Sequence, residues 1–250
     1  MHAPYREAAL EQFSTPHLAA LAATAAAAAA AALWARRHPP RGRRVLVARR
    51  ALAAAMVASE AGLRTAVYLI DGVRPAANLP LHLTDWAWLA CVVALWTARP
   101  LAFELAWFWG AAAVSQALIT PSVAGDFPDL RWWHFMSIHA PVIVGIVLLA
   151  AGCRMTPRRH APWRAWAAGA CAFAVAAAAS AVTGGNYMFA RRPPADGSVL
   201  DLMGPWPWYL AGGAALGAAL FWLLDRPFDA RRRAASPGPP RGRPRDVARR

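Results

Sequence analysis

The sequence predicts an all-α fold, a polytopic membrane bundle of seven transmembrane helices with the N-terminus outside and the C-terminus in the cytoplasm. Three observations support this prediction. Hydrophobic residues make up 58% of the 250 residues, above the share of about half that is usual in globular domains. They fall into seven apolar runs of about 20 residues, the helix length that crosses a hydrocarbon layer of about 30 Å. The basic residues collect in the connections between alternate runs.

The seven runs define a transmembrane domain at 17–225. It follows an extracytoplasmic segment at 1–16 and precedes a tail at 226–250 that is rich in Arg, Pro and Gly, so we expect this cytoplasmic tail to be disordered. The first run holds eight consecutive alanines, Ala25 to Ala32, which favour a helix and close packing against neighbouring helices. The predicted helices are residues 17–35, 45–70, 79–98, 101–120, 133–152, 163–183 and 205–224.

The arginines decide the predicted orientation. All 27 Lys or Arg residues are Arg. Seven lie between helices one and two, one between three and four, four between five and six, and nine after helix seven, which makes 21 on one side. Only five lie on the other side, and Arg64 is inside a helix. The excess marks the cytoplasmic side, so the sequence predicts a multi-pass protein of a bacterial cell membrane.

The net charge of +14 could also indicate a protein that binds nucleic acid. The arginines, however, stand in blocks between the apolar runs, where the topology rule for membrane proteins places them. Membrane lipids are therefore the expected partners, and no nucleic acid is expected.

Several ionisable or reactive side chains lie inside the apolar runs, where they are costly and often functional. Counting about 1.5 Å per residue from the predicted outer helix ends puts Arg64, Thr84, Asp85 and His139 at a common depth of about 9 Å. This coincidence predicts a polar pocket in the outer third of the bundle. The other residues predicted to line it are Glu60, His82, Gln116, His134, Asn186 and Tyr187.

Glu60 and Arg64 are four residues apart, the spacing at which a carboxylate and a guanidinium meet on one helix face. Two interpretations stay open: the pair is structural, or one member faces the pocket and orients a ligand or a catalytic partner. His82 and Asp85, three residues apart, are a second possible pair.

Some polar residues of the predicted pocket are of types that can bind zinc, because imidazole and carboxylate groups are common zinc ligands. The sequence lacks a tight ligand spacing such as H-E-x-x-H, so we predict no metal and no cofactor. The residues considered as ligands are His82, Asp85, His134 and His139.

Several motifs follow one another in residues 45–225. They are Leu79-Pro-Leu-His82-Leu-Thr84-Asp85, Phe103-Glu104-Leu-Ala-Trp-Phe-Trp-Gly110, Gln116-Ala-Leu-Ile-Thr-Pro121, Phe127-Pro-Asp-Leu-Arg-Trp-Trp-His-Phe135 followed by Ser137-Ile-His139, Gly185-Asn186-Tyr187-Met188, and Leu202-Met-Gly-Pro-Trp-Pro-Trp-Tyr209. In order and spacing these motifs resemble the bacterial YwaF-type integral membrane proteins. This family looks related to the transmembrane protein 164 group and, more distantly, to the ADTRP-type membrane hydrolases.

The resemblance implies chemistry on lipid acyl chains. The transmembrane protein 164 group are acyltransferases that use a Cys and a His, and the ADTRP-type hydrolases use a Thr and a His. The family's Cys position falls on Thr84 and its His on His139, so the resemblance implies a Thr nucleophile and a His base acting on an acyl-lipid substrate. The alternative is a non-enzymatic transporter or ligand-binding membrane protein that uses the same pocket.

Overall fold

The computed structural model describes residues 11–121, 125–194 and 198–235. These residues form helices and connecting loops and contain no β-strand, which confirms the all-α fold. Most of the predicted extracytoplasmic segment (1–10) and most of the predicted tail (236–250) lie outside the described residues.

The described residues contain seven helices of 15 or more residues. The α4 helix includes a π-helical turn at Gly110–Val114, and α5 ends in another at Leu148–Gly152. Two short 3₁₀ turns, Tyr187–Phe189 and Val199–Met203, lie in the connection between α6 and α7. The helices are α1 (Thr15–Arg36), α2 (Arg43–Asp71), α3 (Leu83–Thr97), α4 (Pro100–Ile119), α5 (Leu130–Gly152), α6 (Ala161–Thr183) and α7 (Trp208–Ala235).

Six of these helices are long and apolar enough to cross a membrane. The exception is α3, which is apolar but has only 15 residues. At about 1.5 Å per residue it extends for about 22 Å, less than the hydrocarbon thickness.

The starts of α3 and α5 differ from the predicted starts because side chains cap them. The α3 helix begins at Leu83, four residues after the predicted start, because Pro80 disfavours helix for the residue before it. The carboxylate of Asp85 then accepts the backbone N–H of His82 at 2.9 Å. The α5 helix begins three residues early, at Leu130, because the Asp129 carboxylate accepts a first-turn N–H at 2.7 Å.

The last helix is longer than predicted. It continues through residues 226–235, which corrects the disorder predicted for that part of the tail. The Arg232 guanidinium lies 2.7 Å from a carboxylate oxygen of Asp225, and Arg231 donates to the Ala150 carbonyl at 3.1 Å. These contacts within α7 and to α5 hold the charged last turns as helix.

Contacts between helix ends show that helices consecutive in the chain run in opposite directions. At one end His17, in the first turn of α1, donates through Nε2 to the Leu118 carbonyl near the end of α4, at 2.7 Å. At the same end Arg131, at the start of α5, donates to Asp71, at the end of α2, at 3.0 Å. We call this end, where α1, α3, α5 and α7 begin, the His134 end.

The opposite end of the bundle holds the starts of α2, α4 and α6, and we call it the Glu104 end. Arg49, near the start of α2, donates to the Leu95 carbonyl near the end of α3, at 3.1 Å. Arg36, at the end of α1, donates to the Ala151 carbonyl at the end of α5, at 3.0 Å. The contacts at the two ends together show that the direction of the helices alternates along the chain.

A close contact between α3 and α5 fixes their register. Cys91 on α3 is fully buried, and its Sγ lies 3.9 Å from the Val142 carbonyl of α5. A Cβ atom added at Gly145 would lie only 2.6 Å from the same sulfur. The missing side chain at Gly145 therefore lets the two helices approach, and Cys91 lies level with Val142 to Gly145.

Candidate active site

Four predicted site residues form one group of charged side chains at the His134 end, which we call the ionic cluster. Each is about 15–18% exposed. The cluster joins three helices, because two members lie on α2, one on α3 and one on α5. Its members are Glu60, Arg64, Asp85 and His134.

The Glu60 carboxylate stands at the centre of the ionic cluster. One oxygen accepts the Nε–H of Arg64, and the other lies 3.0 Å from Nε2 of His134. Arg64 also reaches a carboxylate oxygen of Asp85 at 3.3 Å. Every charge in the cluster thus has a partner of opposite sign or a hydrogen bond, which lowers the cost of keeping these groups away from water.

The connection between α2 and α3 is anchored beside this cluster. The Tyr187 hydroxyl donates to the Pro75 carbonyl at 2.6 Å and accepts the Leu79 N–H at 3.1 Å. The Tyr68 hydroxyl donates to the Asn78 carbonyl at 2.8 Å. Tyr187, a predicted pocket residue, is 1% exposed and therefore acts on the site by holding the loop that leads into α3.

His82 ends this loop as the residue before the first turn of α3. Its ring meets the Tyr187 ring edge-on, with 5.6 Å between ring centroids. Its backbone N–H is held by Asp85. The predicted pair between His82 and Asp85 therefore forms through the backbone of His82.

Two predicted pocket residues stay away from the ionic cluster. The Asn186 side chain folds back on its own loop, donating to the Arg192 carbonyl at 2.9 Å and accepting the Arg191 N–H at 3.0 Å. Gln116 is exposed on α4. Within the described part of the chain, no three His, Cys, Asp or Glu side chains are grouped to hold a metal ion.

His139 lies one to two turns farther along α5 than His134 and is 4% exposed. Its Nδ1 is 2.7 Å from the Phe135 carbonyl oxygen, and its ring stacks on Phe135 with 4.1 Å between centroids. A carbonyl oxygen only accepts, so Nδ1 carries the proton and the neutral ring has its lone pair on Nε2.

Thr84 is half-buried in the first turn of α3. It lies seven residues before Cys91, which is about two turns, so both residues occupy the face of α3 that packs on α5. Measured from the level of Cys91 and Val142, Thr84 is about 10 Å and His139 about 4.5 Å toward the His134 end. The offset of about 6 Å, one helical turn, replaces the equal depths predicted by counting from the helix starts.

A second ionic group, at the Glu104 end, was not singled out from the sequence. Glu104 is fully buried in α4 and accepts hydrogen bonds from Arg158 at 2.8, 2.9 and 3.0 Å and from Arg164 at 3.0 Å. This carboxylate raises the pKa of the Arg158 guanidinium above its usual value. The available signal was an acidic residue inside an apolar run, which by itself marks a structural or functional site.

Comparison with known protein families identifies the family of this chain. The model of the TMEM164 family matches residues 12–225. This range includes all of α1 to α6 and the first part of α7. Neither curated proteins nor solved structures gave a match. The family match covers most of the chain and agrees with the six apolar helices, so this chain is a multi-pass membrane protein that belongs to the TMEM164 family.

Proposed function

We propose that this protein hydrolyses or transfers the acyl chain of a membrane lipid ester, with Thr84 as the nucleophile and His139 as the general base. The observation that carries the proposal is the hydrogen bond from Nδ1–H of His139 to the Phe135 carbonyl. It fixes the tautomer whose Nε2 can take a proton, as a general base requires.

The arrangement of the two helices supports the pairing of these residues. Thr84 lies on the α3 face that packs on α5, and His139 is three residues from Val142, whose carbonyl contacts that face. Side chains on a helix tilt toward its N-terminus, and α3 and α5 both begin at the His134 end, so both side chains shift in the same direction. The imidazole is longer than the threonine side chain, and this difference in length shortens the offset of about 6 Å between the two backbones.

The proposed reaction has two steps. Thr84 Oγ1 attacks the ester carbonyl carbon while Nε2 of His139 takes the hydroxyl proton. The bond from the acyl carbon to the lipid oxygen then breaks, and the leaving oxygen receives that proton. In the second step Nε2 of His139 takes a proton from water, or from the hydroxyl of another lipid, as that oxygen attacks the acyl-threonine ester. The bond from the acyl carbon to Thr84 Oγ1 breaks, Oγ1 receives the proton, and the acid or the transferred ester is released.

The first turn of α3 supplies candidate donors for the oxyanion. The N–H groups of Asp85 and Trp86 donate to the His82 carbonyl. The N–H groups of Leu83 and Thr84 come earlier in the helix, where backbone donors lack an intrahelical acceptor. Such N–H groups stabilise a developing negative charge.

The ionic cluster has a positioning role in this proposal. Asp85 holds both the His82 N–H and Arg64, so it fixes the turn that carries Thr84. Because the Phe135 carbonyl already orients the imidazole of His139, no carboxylate is needed for that purpose.

The proposal is tested by reconstituting the purified protein in lipid nanodiscs and measuring fatty acid release and acyl transfer over a panel of phospholipids. We expect Thr84→Ala and His139→Ala to lower the rate by about a hundredfold or more, as for loss of a nucleophile or its base. Thr84→Ser should keep measurable activity. The matched control is Thr97→Ala, at the other end of α3, whose hydroxyl donates to the Val93 carbonyl and accepts the Arg99 N–H.

Activity that persists in both alanine variants would refute this mechanism. A wild type that binds lipid saturably and turns none over would instead favour the transporter or ligand-binding alternative. Circular dichroism and gel filtration of each variant separate loss of chemistry from loss of the fold.

The orientation belongs to the same proposal, because it decides which leaflet supplies the substrate. We propose that α3, together with the extended residues before it, completes a seventh crossing, with the N-terminus and the His134 end outside. The 21 arginines predicted on one side support this orientation. Alkaline phosphatase fused after Pro194 should be active, and the same enzyme fused after Arg41 inactive; the reverse pattern would invert the topology.

A further inference from the structure

A cavity of about 860 Å³ at the Glu104 end is not used by the proposed reaction. The connection between α5 and α6, the start of α6 and the end of α7 form its walls. The α6 helix has 23 residues and extends for about 34 Å, with this cavity at its first turn and the His134 end at its last. The cavity is therefore remote from Thr84 and His139.

The charges around the cavity are unequal. Four arginines and two aspartates line it, which leaves a net formal charge of +2. Arg232 lies 2.7 Å from Asp225 and 2.5 Å from Asp229, so both carboxylates are engaged. Within the described residues, neither Arg159 nor Arg233 forms a close ion pair, and Asp229, one turn before Arg233 on α7, is already bound by Arg232. The cavity thus presents uncompensated positive charge.

The floor of the cavity is rigid because buried Glu104 fixes it. Arg158 gives two side-chain hydrogen bonds and its backbone N–H to that carboxylate, yet its side chain remains 52% exposed. Arg164, held by the same carboxylate, donates to the Arg159 carbonyl at 2.9 Å. Arg159 therefore extends from a backbone that is fixed on both sides.

The remaining wall is aromatic and open. Trp163 is 66% and Trp222 57% exposed, and both line the cavity. The Arg226 guanidinium lies 3.7 Å from the centre of the Trp222 ring and holds it in place. Exposed tryptophans beside arginines at the end of an apolar helix are typical of the level of lipid headgroups.

We infer that this cavity binds the phosphate of an anionic membrane lipid, with the headgroup at Arg159 and Arg233 and the first carbons of the acyl chains along Trp163 and Trp222. Guanidinium groups match phosphate because their parallel N–H groups bind two of its oxygens. The volume is in the range of small-molecule sites, about 300 to 1,000 Å³. A free phosphate would leave the aromatic wall without a ligand.

The test uses the full-length protein, stripped of lipid in detergent and then titrated with phosphatidylglycerol or phosphatidylcholine while native mass spectrometry counts bound lipid. We expect phosphatidylglycerol to bind more tightly than phosphatidylcholine. The double variant Arg159→Gln/Arg233→Gln should weaken phosphatidylglycerol binding by about a hundredfold, since each of the two lost charged hydrogen bonds is worth about a factor of ten. The matched control, Arg41→Gln/Arg43→Gln, removes two exposed arginines at the same end and should change binding little.

Two further arms distinguish the source of the phosphate. Trp163→Ala/Trp222→Ala should weaken phosphatidylglycerol binding but leave the affinity of the cavity for inorganic phosphate unchanged. Inorganic phosphate that displaces the lipid at equal concentration would overturn the lipid assignment in favour of a soluble phosphate. Equal losses in the two arginine double variants would overturn the site altogether, and Thr84→Ala should bind lipid as the wild type does.

Discussion

The carboxylate of Glu60 on α2 lies 3.0 Å from the imidazole Nε2 of His134 on α5, and its other oxygen binds Arg64. The two residues are 74 positions apart in the sequence. The Glu60 carboxylate thus binds Arg64 on its own helix and His134 on a different helix. Loss of the Glu60 carboxylate should therefore disturb more of the ionic cluster than loss of any other member.

We predict that Glu60→Gln lowers the free energy of unfolding by about 2 kcal/mol, because it leaves a half-buried guanidinium and an imidazole with weaker partners. Reversible unfolding in mixed detergent micelles measures the change. Glu11→Gln removes an exposed carboxylate outside the helices and is the matched control. A loss no greater than that of the control would show that Arg64 is sufficiently held by Asp85.

At the opposite end, Glu104→Gln should cost more, about 3 kcal/mol, since this carboxylate is fully buried and binds two arginines. Arg158→Gln should cost only about 1 kcal/mol, because Arg158 is half exposed and Arg164 remains on the carboxylate. The same unfolding measurement ranks the two variants. The opposite ranking would mean that Glu104 is stabilised mainly by Arg158.

The contact between Cys91 and Gly145 allows a compensation test. Gly145→Ala puts a methyl group 2.6 Å from the Cys91 sulfur, so the helices must separate, at a cost of about 1 to 3 kcal/mol. Cys91→Ala removes the sulfur and should restore part of that loss when the two changes are combined. A double-mutant cycle of unfolding free energies gives the coupling. Strict additivity would show that α3 and α5 relax apart without strain.

The sequence predicted the helical class and the placement of the helices well, because apolar runs of about 20 residues are a strong local signal. It placed the starts of α3 and α5 less well, since capping by Asp85 and Asp129 overrides the limits of the apolar runs. Helix α7 continues past its apolar run because Asp225 pairs with Arg232, a contact that hydropathy does not measure.

The end of the bundle that holds the ionic cluster was predictable from the sequence, but the relative depth of Thr84 and His139 and the direction of each side chain were not. Glu60, Arg64, Asp85 and His134 converge because three helices bring them to one end, as counting along the helices suggested. Counting does not show which way a side chain turns, so the sequence placed Asn186 in the pocket although its amide is bound to its own loop. The orienting group of His139 was also missed, because it is a backbone carbonyl.

The loop before α3 gives the last prediction, since it holds the turn that carries Thr84. The Tyr187 hydroxyl is the only group to bind both Pro75 and Leu79 in the described part of the chain. In Tyr187→Phe the Leu79 N–H loses its acceptor, so its hydrogen exchange should speed up by about tenfold, the equivalent of one hydrogen bond. If the proposed function holds, acyl release should fall as well, because the first turn of α3 is less well positioned.

Hydrogen–deuterium exchange of the peptide that spans residues 74–82 measures this effect directly. Tyr209→Phe is the matched control, because its buried hydroxyl donates to the Phe189 carbonyl, at 2.5 Å, and does not contact the loop before α3. Faster exchange of residues 74–82 in Tyr187→Phe alone would confirm that Tyr187 anchors this loop. Equal exchange in both variants would assign the anchoring to Tyr68, which holds the Asn78 carbonyl from the other side.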